Sequence, residues 1–211
     1  MIILIGAEKG GCGKSTTVTN VCTWLASKGK DVCLVDADRQ STASNWVADR
    51  DERGDRPKVH CVQKYDNIRD TIVDLDGRYE YVIVDAAGRD SKELRTGMTA
   101  AHILIIPFRP SQADLDTLPK MVEHMEAAKI YNPDLVVHGL ITMSPSNPVI
   151  HETRQAKEYL ANYPEISLLR TIICDRKVYR DAMSEGLGVT EMSNPKAKAE
   201  IQLLVDEVLK W

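Results

Sequence analysis

A glycine-rich segment directly after a short apolar run constrains this chain more than any other feature. The run is Ile2–Ile5, and residues 6–17 then read Gly-Ala-Glu-Lys-Gly-Gly-Cys-Gly-Lys-Ser-Thr-Thr. Glycines let a backbone adopt positive φ and bring its N–H groups close to phosphate oxygens. Lys14 adds positive charge, and the Ser15 hydroxyl is a ligand for Mg²⁺. The segment therefore predicts a bound nucleoside triphosphate.

The segment departs from the usual phosphate-loop pattern G-x-x-x-x-G-K-[ST]. The first glycine of that pattern falls on Glu8, and a second lysine, Lys9, precedes Lys14. Residues 9–15 instead match the deviant form K-G-G-x-x-K-[ST], which resembles the ParA/MinD family of ATPases. The resemblance implies that the whole loop binds nucleotide, through Lys9, Gly10, Gly11, Cys12, Gly13, Lys14, Ser15 and Thr16.

Length and composition indicate one domain with a substantial core. The 211 residues suit a single P-loop ATPase domain over 1–211. Apolar residues make up 43% of the chain and aromatic residues 5%, so aliphatic side chains must fill the core. The net charge of −4 excludes a polybasic nucleic-acid binder, while a local basic face stays open.

The cysteine pattern and the distribution of apolar residues indicate a cytosolic protein. The five cysteines form no C-x-x-C pair, and we expect reduced, mostly buried thiols. Glycine and charge interrupt the N-terminal apolar run, and no run approaches the roughly 18 residues of a membrane span. We therefore expect neither a signal peptide nor a transmembrane segment. The cysteines are Cys12, Cys22, Cys33, Cys61 and Cys174.

Apolar runs alternate with helical patterns along the chain. This alternation predicts an α/β fold: a mostly parallel, twisted sheet with helices on both faces, of the P-loop NTPase (deviant Walker A) type. Ligands of such sheets bind beyond the carboxyl ends of the strands. The predicted strands are 2–5, 32–35, 59–62, 81–84, 103–106, 136–141 and 168–173. The predicted helices are 14–28, 40–49, 66–75, 91–101, 113–129, 151–162, 176–185 and 196–210.

Two aspartates follow the second predicted strand. Asp36 and Asp38 alternate at i and i+2, so both leave the sheet edge on the side of the phosphate loop. Such carboxylates hold Mg²⁺ or orient an attacking water, and the alternative is an N-cap for helix 40–49. Residues 36–40 resemble the family motif D-x-D-P-Q, which implies that Asp38 activates water and Asp36 supports the metal. Arg39 stands where the family usually has proline, and its role stays open.

The fourth predicted strand also ends in an aspartate. Residues 81–88 read Tyr-Val-Ile-Val-Asp-Ala-Ala-Gly, which is the Walker B form. Asp85 is expected to hold Mg²⁺ through a water, and the N–H of Gly88 to approach the γ-phosphate. The family more often has Thr-Pro or Thr-Ala after this aspartate. Arg89 and Asp90 belong either to a switch segment or to a plain surface loop.

Two prolines shape the segment after the fifth predicted strand. Proline has no N–H for a central ladder, so we expect this strand to stop near Pro107 and a helix to start around Ser111. The segment resembles the proline-bearing loop of small plasmid-type ParA proteins, which implies a position near a dimer interface. Asp114 and Asp116 either meet a partner there or stabilise the helix N-terminus, and we favour the second role.

The family resemblance also suggests where the base would lie. It implies that the polar loop 142–148 and the loop after the seventh strand surround the adenine. We expect Met143 to pack on the base and residues 174–177 to contact its edge.

Positive charge is dense in the C-terminal part of the chain. It suits either non-specific DNA phosphates, as the family resemblance implies, or a solvated helical face diluted by Asp175, Asp181 and Glu185. The last segment, 200–211, is amphipathic with an acidic polar face, so we expect it to pack on the domain and not on anionic lipid. The candidate DNA contacts are Arg170, Arg176, Lys177, Arg180, Lys196 and Lys198.

The resemblance implies a timed switch for DNA partition. Family members dimerise around ATP and Mg²⁺, and Lys9 would reach the partner subunit's phosphates, with catalysis from Lys9, Lys14 and Asp38. We expect slow ATP hydrolysis stimulated by a ParB-like centromere-binding adaptor, non-specific DNA binding in the ATP state, no membrane binding, and a cytoplasmic, nucleoid-associated location. The chain begins at its first strand, which suits small ParA proteins without an N-terminal DNA-binding extension.

Three other classes of protein share these motifs. The alternative we retain is a MinD-like or cargo-positioning ATPase that acts on a membrane or a protein complex. A nitrogenase-reductase-like electron carrier is excluded because no cysteine lies between Cys61 and Cys174 to ligate a cluster. A dethiobiotin-synthetase-like enzyme needs a small-substrate site, which no residue here demands.

Overall fold

A computed structural model describes residues 1–88, 90–146 and 152–209, and its strands form one sheet. The seven strands are β1 (Ile2–Ile5), β2 (Val32–Ala37), β3 (His60–Gln63), β4 (Tyr81–Ala86), β5 (Ile103–Phe108), β6 (Val136–Ser144) and β7 (Ser167–Cys174). They lie in the order β3-β2-β4-β1-β5-β6-β7, and each pairing is parallel. The predicted fold class is confirmed.

Helices cover both faces of the sheet, and a hydrophobic cluster lies under each layer. One face carries α1 (Lys14–Ser27), α2 (Thr42–Arg53), α8 (Lys177–Ser184) and α9 (Pro195–Leu209). The opposite face carries α3 (Arg69–Asp76), α4 (Lys92–Met98), α6 (Leu118–Lys129) and α7 (Glu152–Leu160). A short helix α5 (Gln112–Leu115) and a 3₁₀ turn (Val189–Glu191) complete the elements of the described residues.

The carboxyl ends of the central strands bring the predicted site residues to one edge. In the sheet register Ile5 pairs with Asp85, and Asp85 pairs in turn with Asp36. The loops after β1, β2 and β4 therefore meet above neighbouring strands, as expected for a parallel sheet.

The predicted stop of β5 near Pro107 is confirmed to within one residue, but Pro107 itself does not interrupt the ladder. β5 continues to Phe108, and Pro107 pairs with Leu140 of β6. The Gly6 N–H donates to the Ile105 carbonyl, so the backbone groups of Ile105 face β1. Because alternate residues face the same side, the missing N–H of Pro107 also faces β1, which has already ended. The proline therefore costs the sheet no hydrogen bond.

The helix predicted over 113–129 is two helices. α5 ends at Leu115, and α6 begins at Leu118 with Pro119 in its first turn. Proline has no N–H for a carbonyl one turn earlier, but it fits the first turn of a new helix. The chain therefore restarts its helix at this point.

The last helix packs on the domain, as predicted. Ile201, Leu204 and Val208 of α9 are buried in the cluster beneath α1 and α8. On its polar side, Glu207 accepts hydrogen bonds from the backbone N–H groups of Arg170 and Thr171 at the edge of β7. The acidic face predicted to repel lipid thus binds the sheet. Lys210 and Trp211 lie outside the described residues.

Candidate functional site

The segment between β1 and α1 folds as a compact loop over the sheet edge. Gly11 and Gly13 have φ angles of 73° and 85°, a region that residues with a side chain rarely adopt. α1 begins directly at Lys14, and Gly13 supplies no side chain to cap it. The N–H groups of the first turn are thus available to an anion, which is the usual property of a helix N-terminus after a glycine-rich loop.

A cavity of about 880 Å³ lies over this loop. Its walls come from the phosphate loop, from the chain at and after the ends of β2 and β4, from the end of β6, and from α4 and α8. Ten predicted site residues line it: Lys9, Gly10, Gly11, Gly13, Lys14, Ser15, Thr16, Asp38, Gly88 and Met143. The lining also contains residues given no nucleotide role from the sequence, namely Glu8, Ala37, Arg39, Gln40, Thr42, Ala87, Glu93 and Met183.

Cys12 is a predicted loop contact whose side chain points away from the cavity. Its thiol is buried in the hydrophobic cluster beneath α4 and α6 and donates to the Lys9 carbonyl at 3.3 Å. Burial raises the pKa of this thiol above its usual value. A contact between Cys12 and a nucleotide would therefore come from its backbone.

Lys14 is a buried cation held inside the phosphate loop. Its ammonium group donates to the Lys9 carbonyl at 3.0 Å. A Cβ atom added to Gly88 would lie 2.5 Å from the Lys14 Nζ and 3.0 Å from the backbone of Gly10. A side chain at position 88 would therefore displace the Lys14 ammonium and crowd Gly10, because the chain after β4 lies against the loop here.

Asp85 is a buried carboxylate without a well-formed hydrogen bond. Neither of its oxygens has a hydrogen-bond partner in the part of the chain that the structure describes. Burial raises its pKa from 3.8 to about 7, and the nearby Ser15 hydroxyl and Lys14 ammonium only partly oppose this rise. A buried acid in this state has unfilled coordination capacity.

The residues around Asp85 fit a hard divalent cation. Mg²⁺ takes oxygen ligands, commonly one or two carboxylates together with waters and phosphates. Asp85 supplies unpartnered carboxylate oxygens, and Ser15 at the start of α1 supplies a hydroxyl close to them. These two residues would hold Mg²⁺, and the metal roles of Ser15, Asp38 and Asp85 stay predictions.

Asp36 lies one strand away in a different setting. Its Oδ1 accepts the backbone N–H of Asp38 at 3.1 Å, and its Oδ2 accepts that of Ser44 at 2.8 Å. Asp36 therefore ties the turn after β2 to the first turn of α2, which resembles the capping alternative raised from the sequence. It does not line the cavity, so any support it gives a metal would be indirect.

Asp38 and Arg39 both face the cavity from the turn after β2. Asp38 is half-buried, and its Oδ1 accepts the Gln40 N–H at 3.0 Å. Arg39 is exposed, lies over the Tyr65 ring and pairs with Asp66 at 3.3 Å. The second Asp38 oxygen leaves the carboxylate able to accept a proton from water.

Lys9 forms an ion pair within its own chain. Its ammonium lies 2.8 Å from Asp114 Oδ1, and the Asp114 side chain is only 3% exposed. The other oxygen of Asp114 accepts the Arg109 N–H at 2.9 Å. Asp114 thus does more than stabilise the N-terminus of α5, whereas Asp116, just after this helix, accepts a hydrogen bond from the Gln112 side chain.

Two residues that hold the phosphate loop were missed from the sequence. The Arg109 guanidinium donates from Nε to the Gly11 carbonyl at 2.9 Å, and its terminal nitrogen contacts the same oxygen. The Thr142 hydroxyl lies 2.8 Å from the Cys12 carbonyl. Both side chains come from the ends of neighbouring strands, and only the folded sheet shows that they meet the loop.

A smaller cavity of about 60 Å³ adjoins the main site at the predicted adenine position. It lies between the first turn of α1 and the ends of β6 and β7. Its lining includes Met143, Cys174, Asp175 and Arg176, in keeping with the predicted base contacts, but not Lys177. Met143 has a φ of 50°, which marks a sharp turn at the end of β6.

Most of the predicted DNA contacts already have acidic neighbours. Arg176 pairs with Glu200 at 2.7 Å, Lys177 with Asp181 at 2.7 Å and Arg180 with Asp175 at 2.8 Å. Arg170 lies 3.5 Å from Glu207 and is otherwise exposed. Within the described residues, Lys196 and Lys198 make no ion pair. This local neutralisation weakens the expected basic face, which stays a prediction.

Two further expectations concern the switch segment and membranes. Arg89 lies outside the described residues, while Asp90 pairs with Arg95.

Among the described helices, none combines the length and the apolar character needed to cross a bilayer.

Comparison with known proteins gives a family match over most of the chain. A model described as the CobQ/CobB/MinD/ParA nucleotide binding domain matches residues 3–189. Maintenance of carboxysome distribution protein A from Halothiobacillus neapolitanus is 28% identical, with 95% of this chain and 93% of that protein covered. Its counterpart from Gloeobacter kilaueensis is 30% identical, with 93% and 87% covered. Chromosome partitioning protein ParA from Myxococcus xanthus is 26% identical, with 82% and 74% covered.

Solved structures share the fold at low sequence identity. Apo McdA from Cyanothece superposes with a TM-score of 0.81 at 15% identity, with 98% of both chains covered. A McdA variant from Cyanothece in complex with ATP gives 0.76 at 16% identity, with 98% of this chain and 95% of that chain covered. MinD from Pyrococcus horikoshii OT3 with Mg-ADP gives 0.73 at 18% identity, with 99% and 96% covered. These likenesses show the fold alone.

Proposed function

The chain belongs to the CobQ/CobB/MinD/ParA nucleotide-binding family, and from that premise we propose that it is an ATP-hydrolysing switch that positions a cargo inside the cell. The cargo is a large protein assembly of the kind represented by the carboxysome. Plasmid or chromosomal DNA is the second candidate.

One observation carries the nucleotide chemistry. A buried cation, Lys14, and a buried acid without a well-formed hydrogen bond, Asp85, lie beside the phosphate loop, where Gly88 comes close to the Lys14 ammonium. A buried carboxylate without a hydrogen-bond partner lowers the free energy of unfolding, and a ligand that pairs with this carboxylate raises it again. ATP with Mg²⁺ supplies the phosphate for Lys14 and the cation for Asp85, and Mg-ADP and ATP complexes of proteins with this fold support the choice.

The chain's own residues provide the machinery for hydrolysis of ATP to ADP and phosphate. The phosphate-loop N–H groups and Lys14 bind the phosphates and balance their charge. Asp38, which lines the cavity, orients water for attack on the γ-phosphorus and accepts its proton on the oxygen that Gln40 leaves free. Mg²⁺, held by Ser15 and Asp85, neutralises charge on the phosphate oxygens when bound.

Lys9 is the residue that links nucleotide state to dimerisation in this proposal. In the single chain its ammonium pairs with Asp114 at 2.8 Å. To reach a partner subunit's phosphates it must leave this ion pair, so the two contacts exclude each other. The Lys9 side chain is 41% exposed, which leaves it room to turn outward.

The identity of the cargo is supported by sequence comparison. Two relatives that cover more than nine-tenths of this chain are named for carboxysome distribution. A chromosome partitioning protein ParA matches a smaller share and keeps DNA partition as the second candidate. For either cargo we propose the same two partners in the cytoplasm. One is an adaptor protein that stimulates hydrolysis, and the other is the non-specific DNA of the nucleoid, which the ATPase binds.

The first experiment tests ATP-dependent dimerisation and hydrolysis separately from binding to nucleoid DNA. Phosphate release and oligomeric state are measured with ATP and with ADP, and binding to non-specific duplex DNA is measured with each nucleotide at two salt concentrations. ATP-dependent dimers that bind DNA and lose it with salt support the proposal. Dimers that hydrolyse ATP but do not bind DNA would contradict the proposed binding to the nucleoid.

The second experiment separates the two cargo classes. The gene is deleted in the organism that encodes it, and the chain is restored as parent or as Lys9→Ala. Clustered or unevenly spaced protein compartments with normal plasmid inheritance support a protein cargo. Loss of plasmids or mis-segregated chromosomes with normal compartments supports DNA partition instead.

A further inference from the structure

Three ionisable side chains from separate elements meet on the α6 side of the phosphate loop. Glu8 belongs to the phosphate loop, Asp90 to the segment after β4, and His124 to the middle of α6. One ligand atom from each of the three lies within 4.8 Å of the others. Neither the nucleotide chemistry nor the dimer proposal uses this cluster.

Two atoms of the cluster are buried without hydrogen bonds. Glu8 Oε1 and His124 Nε2 lie 2.8 Å apart, yet neither makes a hydrogen bond within the described residues. The Glu8 side chain is 9% exposed and that of His124 10%. Asp90 Oδ1 lies 3.5 Å from the same nitrogen. A buried carboxylate oxygen and a buried imidazole nitrogen without a well-formed hydrogen bond are both available as ligands for a cation.

We propose that Glu8, Asp90 and His124 form a binding site for a divalent transition-metal ion of the Zn²⁺ class. Imidazole nitrogen and carboxylate oxygen are ligands that such ions prefer, whereas Mg²⁺ prefers oxygen alone. The ligand separations need only small shifts to surround one ion at about 2 Å. Three protein ligands completed by water are the arrangement of an open zinc site.

Lys120 supplies the competing charge in the metal-free chain. Its ammonium lies 3.3 Å from Glu8 Oε2 and 3.5 Å from Asp90 Oδ2. The Lys120 side chain is 49% exposed, so it can turn to solvent at little cost. The metal ion and Lys120 therefore compete for the same carboxylates, while Arg95 stays on Asp90.

An ion at this site would join two segments that border the nucleotide cavity. Glu8 directly precedes Lys9, and Asp90 lies two residues after Gly88. The bound ion would limit the relative movement of the phosphate loop and the chain after β4. Binding of the ion needs no nucleotide, so its test stands apart from the proposed ATPase function.

The test uses full-length, tag-free, metal-stripped protein titrated with Zn²⁺ by calorimetry, in buffer with Mg²⁺ and without nucleotide. Co²⁺ titration followed by visible absorption reports the ligand geometry. The parent chain should bind one ion at this site, and His124→Gln should weaken binding by about 100-fold because a direct ligand is lost. Lys120→Met should tighten binding because the competing ammonium is gone.

His60→Gln is the matched control, because His60 is an exposed histidine on β3 whose ring packs at a tilt against that of Tyr79. Its affinity should equal that of the parent. Asp90→Asn repeats the ligand test on an exposed segment if His124→Gln unfolds. Absence of Zn²⁺ binding, unchanged affinity in the ligand variants, weaker binding in Lys120→Met, or loss of binding in His60→Gln would overturn the proposal and leave an ion-pair cluster.

Discussion

Asp36 and Asp85 occupy equivalent places on neighbouring strands, but their surroundings differ completely. They are register partners in the sheet, each follows an apolar run, and both are buried. Asp36 accepts two backbone N–H groups, from Asp38 and Ser44. Among the described residues nothing donates a well-formed hydrogen bond to Asp85.

The difference comes from the path of the chain after each aspartate. After Asp36 the backbone turns back through residues 38–44, and its N–H groups return to the carboxylate. After Asp85 the chain runs through two alanines to Gly88, which lies against the phosphate loop, and none of the described N–H groups returns to the carboxylate. A buried carboxylate that accepts hydrogen bonds from the backbone stabilises the fold, whereas one without donors is available to a ligand.

The largest expected effect is on catalysis. Asp85→Asn removes the carboxylate proposed to hold Mg²⁺, and it should lower ATP turnover by about a thousandfold, or roughly 4 kcal/mol of transition-state stabilisation. Asp36→Asn should lose far less, because Asp36 does not line the cavity. Phosphate release at saturating ATP and Mg²⁺ measures both. Equal losses in the two variants would break the comparison.

The next effect is on the pH dependence of metal-free stability. The pKa of Asp85 is about 7 in the folded chain against 3.8 ordinarily. Between these values the folded chain holds a proton that the unfolded chain releases, so stability from this group falls as pH rises from about 4 to 7, by roughly 4 kcal/mol at most.

Urea unfolding of the parent and of Asp85→Asn, with EDTA at pH 5 and pH 8, measures this term. Other titrating groups cancel in the difference between the two proteins. Asp85→Asn should gain stability relative to the parent at pH 8, and the gain should shrink at pH 5. A difference that does not change with pH would contradict the raised pKa.

A smaller effect is expected from the structural aspartate. Asp36→Ala leaves the N–H groups of Asp38 and Ser44 without their acceptor, and it should lower the free energy of unfolding by about 2 kcal/mol. Because Asp36 also raises the pKa of Asp85 by repulsion, the cost should be greater in the Asp85→Asn background. A double-mutant cycle in urea tests this coupling, and a neutral Asp36→Ala would refute the capping role.

The smallest effect is expected at Ser15, the neighbour of Asp85. Ser15→Ala removes a hydroxyl that lowers the pKa of Asp85 and is a proposed Mg²⁺ ligand, so Mg²⁺ affinity should fall by about tenfold. Thr16→Ala is the control, because Thr16 also lines the cavity. Nucleotide binding is titrated with Mg²⁺ for both variants. A greater loss in Thr16→Ala would move the metal ligand by one residue.

The contrast between the two aspartates shows how far the sequence alone reaches. Apolar runs, glycines and lysines act locally, so the phosphate loop, the strand ends and the parallel sheet could be predicted from their own residues. The pattern of an apolar run followed by aspartate is the same at Asp36 and Asp85, and it cannot report which acid receives N–H groups from a later turn. That information lies in the path of residues 38–44.

Other gaps have the same origin in long-range contacts. Arg109 and Thr142 contact the phosphate loop across 98 and 130 residues of chain, and no local pattern marks them. Pro107 was expected to end β5, but its neighbour β1 had already ended at that level, so the usual penalty does not arise. In both cases the deciding fact is which segment lies alongside.

The contact between Thr142 and the phosphate loop has a consequence for folding during translation. Thr142, which contacts the loop at Cys12, is synthesised 130 residues after it. During translation the loop therefore lacks this support until β6 has left the ribosome and joined β5. The nucleotide, by binding only the finished loop, would then stabilise chains that have completed the sheet over those that have not. Binding of ATP would thus favour nascent chains that have completed the sheet.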